Sequence, residues 1–407
     1  MNTAVENRPL IWVSVAELSG DMHAADLLEA LHVRRPDLIF RGIAGPCLRE
    51  RFRSETGERE EALAASASLQ NSQTGSYSPK FSELFGIEQL SIMGGTEVLS
   101  AIPRILRMWA AIRRDLQAQR PDAVILVDGP DFNFKIAKIA HALGIPVYYY
   151  ISPKIWAWRS GRAHFLKRHV RRVLSILPFE PEFYRGFGME VPYVGNPLVA
   201  AMDLPALDKI VSVPGRIGLM PGSRKKEVSV LMPLFGAAAR LIQAARPDVS
   251  FHCIQAPGIS AEMLHDLWQS DIPFSLEPAA ERYQFIRSCD CILAASGTAT
   301  LECALAGTPT VVTYKLSALT GWLASKVLNV RFVSLPNLIM DREVFPELLQ
   351  GDARPELLAA GILRWLDDAG ARAQVALDLQ EIRRRLGTLS APGEAAGIIL
   401  QDCGLLD

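Results

Sequence analysis

The chain has 407 residues with 43 basic and 44 acidic side chains. A net charge this close to zero gives no bulk attraction to nucleic acid, and no nucleic-acid partner is expected. At roughly 150 residues per domain, the length allows two or three domains with an ample core and excludes a small stapled scaffold.

Six cysteines, with no Cys-x-x-Cys and no histidines at zinc spacing, read as buried reduced thiols of a cytosolic protein. The opening MNTAVENRPL has no basic region followed by an apolar core, and no stretch of eighteen apolar residues occurs. The expectation is a soluble or membrane-surface protein.

Taken in order, Ile11 to Val15 is a short apolar strand that ends in AELSGD (16–21) before a helical pattern from Ala24 to Val33. Ile39 to Ile43 repeats the strand, followed by the turn Gly45-Pro46. Alternating strands and helices imply a parallel sheet. Residues 54–82 are polar and Ser-rich without a period and read as a flexible insertion. From Pro103 to Gln119, Ile105, Leu106, Trp109, Ile112 and Leu116 recur at helical spacing among Arg104, Arg107, Arg113 and Arg114. Such a helix either faces a core with solvated arginines or lies on a membrane surface.

The stretch AVILVDGPDFN (123–133) is the centre of the first half. Val124 to Val127 has no polar alternation, as in a strand buried on both faces, so Asp128 stands at a strand's carboxyl end, where open α/β sheets bind ligands. Asp131 reads equally as a second functional acid and as a helix cap. A helix, Ile136 to Leu143, and a strand, Val147 to Ile151, complete another unit. No acidic residue lies between Phe132 and Phe179, while nine Lys and Arg residues from Lys135 to Arg172 do. Trp156 and Trp158 beside this charge fit anionic lipid or phosphorylated sugar, or a solvated helix with core tryptophans.

Residues 203–215, DLPALDKIVSVPG, read as a linker. A second series comes after it: Ile217 to Met220 ending in PGSR (221–224), Phe251 to Gln255, Cys289 to Ala295 ending in SGT (296–298), Val311 to Tyr314, and a charged helical tail from Pro355. The expected architecture is two similar α/β halves with a crevice between them.

In PGSR, Gly222 permits close backbone approach, Ser223 offers a hydroxyl, and Arg224 can grip a phosphate through paired hydrogen bonds at a helix start. ASGTATLE (295–302) repeats the geometry with Ser296, Gly297, Thr298 and Thr300, and Glu302 could accept both hydroxyls of a ribose. Each turn alone also reads as an ordinary capped helix. Two in one half favour a nucleotide diphosphate. No G-x-x-x-x-G-K-[ST], G-x-G-x-x-G, H-E-x-x-H or G-x-S-x-G occurs, so P-loop, dinucleotide, zinc-protease and nucleophile-elbow chemistries lack their usual residues.

Nine segments in order resemble the lipid-A-disaccharide synthase family: ELSGD (17–21), GIAGP (42–46), SIMGGTEVL (91–99), VDGPDFN (127–133), YISPKIWAWR (150–159), LPFEPEFY (177–184), PGSR, ASGTATLE and SLPNLI (334–339). The resemblance implies a GT-B fold of two Rossmann-like domains facing a cleft. It implies an acceptor domain over 1–200, a UDP-sugar domain over 201–385, and a tail, 386–407, packing back on the first domain. It further implies a peripheral enzyme of the cytoplasmic face of the inner membrane, with no cofactor and no metal. The donor would be UDP-2,3-diacylglucosamine and the acceptor 2,3-diacylglucosamine 1-phosphate, giving a β-1,6-linked disaccharide and UDP.

On this resemblance Asp128 is the base that deprotonates the acceptor 6-hydroxyl in an inverting displacement. Glu17 and Glu97 would orient sugar hydroxyls, while Ser223 and Asn337 would contact UDP. Asn133, Ser152 and Trp158 fall within its motifs as further substrate contacts. Ile92, Met93, Trp109, Trp156 and Trp322 are candidates for acyl-chain contact. Ala16 stands where the family usually has glycine. Asn196 replaces the histidine of a G-H-P triplet, keeping a hydrogen bond but no proton charge near neutral pH. A UDP-sugar 2-epimerase of the same fold and a non-catalytic nucleotide-sugar or lipid carrier are the competing readings.

Overall fold

The computed structural model describes residues 8–52, 81–91, 98–315 and 330–406. Glu97, Ile92, Met93, Trp322 and nearly all of the insertion expected at 54–82 lie outside the described residues. The chain divides into two compact units, one of Met1–Ile155, Arg159–Pro197 and Leu389–Asp407, the other of Trp156–Trp158 and Leu198–Thr388.

The first unit is built on six strands: β1 Leu10–Val15, β2 Ile39–Ala44, β3 Phe81–Gly86, β4 Ala123–Val127, β5 Val147–Tyr150 and β6 Arg172–Leu174. They form one sheet of order β3-β2-β1-β4-β5-β6. Every pairing is parallel. All five residues of β4 and all four of β5 are buried, which explains their unbroken apolar and aromatic sequences. Asp115, on the helix Val98–Gln119, ties the sheet to that helix by accepting from Trp12 Nε1 at 2.9 Å and from the Arg41 guanidinium at 2.7 Å. The helix buries Met108, Ile112 and Leu116 and exposes Arg104, Arg107, Arg113 and Arg114. The terminal helix Ala391–Asp402 packs on the helix Leu18–Arg34, and its Asp402 pairs with Arg172 of β6 at 2.6 Å.

The second unit repeats the plan with β7 Arg216–Met220, β8 Ser250–Ile254, β9 Phe274–Glu277, β10 Cys291–Ala295, β11 Thr310–Tyr314 and β12 Glu347–Leu349. Their order is β12-β11-β10-β7-β8-β9. The helix Lys225–Ala245 is, among the described residues, the one helix long and apolar enough to cross a bilayer. It is instead a core helix. Val228, Leu231, Met232, Phe235, Ala238, Ala239 and Ile242 are buried at helical spacing against the helices Ala261–Trp268 and Pro355–Asp367. The six cysteines are free thiols, four of them buried.

In both units the first strand, β1 or β7, has its successor on one side and the fourth strand, β4 or β10, on the other. That is the point where strand order reverses, and open α/β sheets bind ligands beyond the carboxyl ends of the strands there.

Four strands, β3, β6, β9 and β12, are absent from the pattern read in the sequence, and each lies at a sheet edge. The expected insertion ends two residues early, because Phe81 and Ser82 begin β3. The helix expected from Pro103 begins at Val98, with Pro103 inside it.

Candidate active site

At the reversal point of the first unit, Val15 pairs with Val127, so the turns after β1 and β4 leave the sheet side by side. They touch: a methyl group added at Gly129 would lie 2.3 Å from Ala16 Cβ. Gly129 has φ +51°, a left-handed conformation available to glycine at little cost. Asp128 is also left-handed, with φ +49°, a conformation that aspartate adopts more readily than most residues but less readily than glycine.

Three neighbours hold it there. Its carbonyl accepts from Asn133 Nδ2 at 2.7 Å and from the Tyr149 hydroxyl at 2.6 Å, and its N–H donates to the Tyr150 carbonyl at 3.4 Å. Asn133 also donates to the Val127 carbonyl at 3.1 Å and accepts from Ser14 Oγ at 2.7 Å. Burial, reinforced by the charge of Asp128, drives the Tyr149 hydroxyl far above its ordinary pKa, so it stays a neutral donor. The backbone of Asp128 is fully engaged, while its half-exposed carboxylate makes no hydrogen bond among the described residues.

The two acids of ELSGD have different positions. Glu17 is exposed ahead of the helix Leu18–Arg34 and caps nothing with its side chain. Asp21 is buried and accepts from the N–H groups of Gly45 at 2.9 Å and Cys47 at 2.6 Å, so it fixes the turn of GIAGP. Asp131 pairs with Arg162 at 2.6 Å and Arg159 at 3.5 Å. Trp109 packs on Phe132 with ring centroids 4.8 Å apart and planes tilted by 35°, and Lys135 Nζ lies 5.2 Å above the Trp109 ring; Trp156 is buried. Trp158 is 41 % exposed, and Leu106, Leu18 and Met22 are exposed apolar side chains as well.

At the reversal point of the second unit Met220 pairs with Ala294. The turns that leave β7 and β10 also meet, for a methyl added at Gly222 (φ +104°) would lie 3.6 Å from Ala295 Cβ. Ser223 and Arg224 are exposed ahead of the helix Lys225–Ala245, and Arg224 pairs with Glu227 at 3.1 Å. Gly297 and Thr298 are exposed at the start of the helix Thr298–Ala306, with Ser296 half-buried. Two helix N-termini therefore open side by side with a guanidinium beside them, an arrangement that binds anions. Glu302 is buried and pairs with Arg282.

Four side chains expected to touch a ligand are engaged within the chain. Asn337 is fully buried and its amide is saturated: Nδ2 donates to the Phe345 carbonyl and Glu347 at 2.8 Å each, and Oδ1 accepts from the N–H groups of Val344 at 2.8 Å and Phe345 at 2.9 Å. Thr300 donates to the Gly297 carbonyl at 2.8 Å and Ser152 bonds to the Tyr184 hydroxyl at 2.7 Å, both buried. With Asn133, these shape turns rather than present free groups. Asn196 is buried and donates to the Ile176 carbonyl at 3.0 Å. Among the described residues, no group of three or more His, Cys, Asp or Glu could hold a metal ion.

Sequence reasoning missed Tyr149, whose hydroxyl on an inner strand had to find a partner, and His23, one turn into the first helix. The imidazole of His23 has a buried Nδ1 without a hydrogen-bond partner.

A model of the family described as lipid-A-disaccharide synthetase matches residues 78–392. A lipid-A-disaccharide synthase of Myxococcus xanthus is 39 % identical over 97 % of this chain and 98 % of its own length. Among solved structures, MurG of Acinetobacter baumannii superposes with a TM-score of 0.57 at 16 % identity, over 97 % of this chain and 99 % of its own. A UDP-GlcNAc 2-epimerase of Neisseria meningitidis, bound to UDP-GlcNAc, superposes at 0.58 and 13 % over 97 % and 98 %. Those two likenesses carry the GT-B fold alone. The relatives and the family model carry more: the chain belongs to the lipid-A-disaccharide synthetase family and is a glycosyltransferase that forms the lipid A disaccharide.

Proposed function

We propose that Asp128 is the general base of an inverting transfer from UDP-2,3-diacylglucosamine to the 6-hydroxyl of 2,3-diacylglucosamine 1-phosphate. The observation that carries this reading is the locked, left-handed Asp128, whose backbone is pinned while its carboxylate remains unbonded. The hydroxyl oxygen attacks the donor's anomeric carbon as its proton passes to Asp128. The bond from that carbon to the diphosphate oxygen breaks, and UDP leaves with the electron pair. Glu17 and Glu97 orient sugar hydroxyls on the first unit, which takes the acceptor. The second unit takes the nucleotide, with the diphosphate over the helix N-termini beyond Gly222 and Gly297, beside Ser223, Ser296, Thr298 and Arg224. Hydrogen bonds to charged groups contribute roughly 1.5–3 kcal/mol each, enough to stabilise a departing diphosphate. Glu302 meets the ribose from its pair with Arg282. Asn133, Ser152, Thr300 and Asn337 position these groups.

The exposed arginines of the helix Val98–Gln119 and its exposed Leu106 support peripheral binding at the cytoplasmic face of the inner membrane. Trp158, also exposed, supports contact with an acylated substrate.

UDP release and disaccharide formation from the acylated substrates in detergent test the reading. Native turnover, with Asp128→Ala slowed by about 10²-fold or more yet still binding UDP, is the expected result. An equally active variant would remove Asp128 as the base.

A further inference from the structure

The helix Leu18–Arg34 begins against Asp128. A methyl group added at Gly20 would stand 3.4 Å from the Val127 carbonyl oxygen and 3.8 Å from Asp128 Cβ. His23 lies three residues further along, on the same helical face, and helical side chains lean toward the helix N-terminus, which here is toward Asp128. The His23 Nδ1 is buried and has no hydrogen-bond partner. Buried polar atoms in folded proteins are almost always satisfied, and an orphan beside a reacting group calls for an explanation in function.

From this placement we infer that His23 is a positioning residue for Asp128, presenting an uncharged imidazole that orients the carboxylate. The inference rests on the reading of Asp128 as the base.

The electrostatics agree. Burial holds the His23 pKa below its ordinary value, against the opposing pull of the Asp26 and Asp128 carboxylates. Asp26 sits on the same helix and is paired with Arg51 at 2.5 Å. From β5, the buried Tyr150 hydroxyl, also without a partner, feels the same Asp26 charge. His23 is therefore neutral at neutral pH. A cation in its place would lower the proton affinity of Asp128 strongly, whereas a neutral ring lowers it far less and leaves a donor to meet the otherwise unbonded carboxylate when the acceptor binds. As pH falls through the depressed His23 pKa, the ring gains charge and Asp128 loses basicity.

The test compares the full-length native chain with His23→Gln, His23→Phe, Asp128→Asn and the double variant His23→Phe/Asp128→Asn, using the acylated UDP-sugar and acceptor in detergent and following UDP release across pH 5–9. Circular dichroism and unfolding midpoints establish folding first. His23→Phe is expected to lower kcat about tenfold or more with KM for the UDP-sugar within twofold. His23→Gln, which keeps a hydrogen-bond donor, should recover most of kcat but lose the share of the acid limb that His23 contributes. Added to Asp128→Asn, His23→Phe should cost nothing further. A native-like kcat and pH profile for His23→Phe, or a full tenfold loss on top of Asp128→Asn, overturns the role of His23 while the base assignment stands. An active Asp128→Asn overturns the base assignment, and with it this inference.

Discussion

Asn133→Ala tests whether the shape of the turn after β4 is imposed by side chains remote from the substrate. The substitution deletes three hydrogen bonds, to Ser14, to the Val127 carbonyl and, part-buried, to the Asp128 carbonyl. At about 1 kcal/mol each, the expected loss is about 3 kcal/mol, a large share of the 5–15 kcal/mol by which a domain is typically stable. Tyr149→Phe removes only the second donor to the Asp128 carbonyl and should cost about 1 kcal/mol. Because both side chains hold one oxygen, removing both leaves it unpaired beside a residue in an unfavourable conformation. The double variant should therefore lose at least about 0.5 kcal/mol more than the sum. Urea unfolding of the three variants gives these terms, and kcat on the acylated substrates gives the catalytic counterpart, a fall of about 10²-fold for Asn133→Ala as Asp128 leaves its fixed position. If Asn133→Ala unfolds within about 0.5 kcal/mol of the native chain and keeps its kcat, Asn133 does not brace the turn and some other contact holds it.

Asn337→Ala, which empties four buried hydrogen-bond positions, should lower stability by about 3 kcal/mol or more, measured by urea unfolding, and should change UDP affinity only as far as the fold loosens. The depressed His23 pKa makes stability fall with acid. Between the ordinary value near 6.5 and the lower folded value, the unfolded chain binds the extra proton, so stability is full above about pH 6.5 and declines below it. His23→Gln should remove that part of the slope in unfolding midpoints taken from pH 7.5 to 5, and an unchanged slope would refute the assignment.

The eight strands legible in the sequence are the eight inner ones. Buried on both faces, β4 reads AVILV and β10 reads CILAA, and five-residue apolar runs that stop at a glycine turn are too short for a helix and favour a strand. The edge strands carry no such run. β3 (FSELFG), β9 (FSLE) and β12 (ELL) are largely half-exposed, and β6 is three residues long, so each looks like loop until its neighbour supplies the hydrogen bonds. The same divide runs through the site. Asp128 and the glycine turns declare themselves locally, as polar residues at the ends of apolar runs. Whether a polar side chain is free depends on distant partners: Asn337 is saturated partly by Glu347, and Ser14 reaches Asn133 across 119 positions. His23 carried no local signal, since a lone histidine on a helix is ordinary until the fold brings the start of that helix against Asp128.

The two units share one strand order and differ in the residue placed after the fourth strand. Beyond β4 the chain sets a carboxylate, Asp128. Beyond β10 the residue in the same position is Ser296, neutral and half-buried. A carboxylate there would stand at the opening of the two helix N-termini that favour an anion, and would compete with any phosphate they hold. At an effective dielectric of about 20 and a separation of about 6 Å, each unit of phosphate charge would be repelled by nearly 3 kcal/mol before salt screening. Even half of that surviving amounts to about a tenfold loss. Ser296→Asp is therefore expected to weaken UDP binding at least tenfold in titration calorimetry, with the penalty shrinking as salt rises, while Ser296→Asn, of similar size and no charge, stays within about threefold. If UDP binds Ser296→Asp as tightly as the native chain, the diphosphate does not sit at this reversal point, and the assignment of the nucleotide to these turns is wrong.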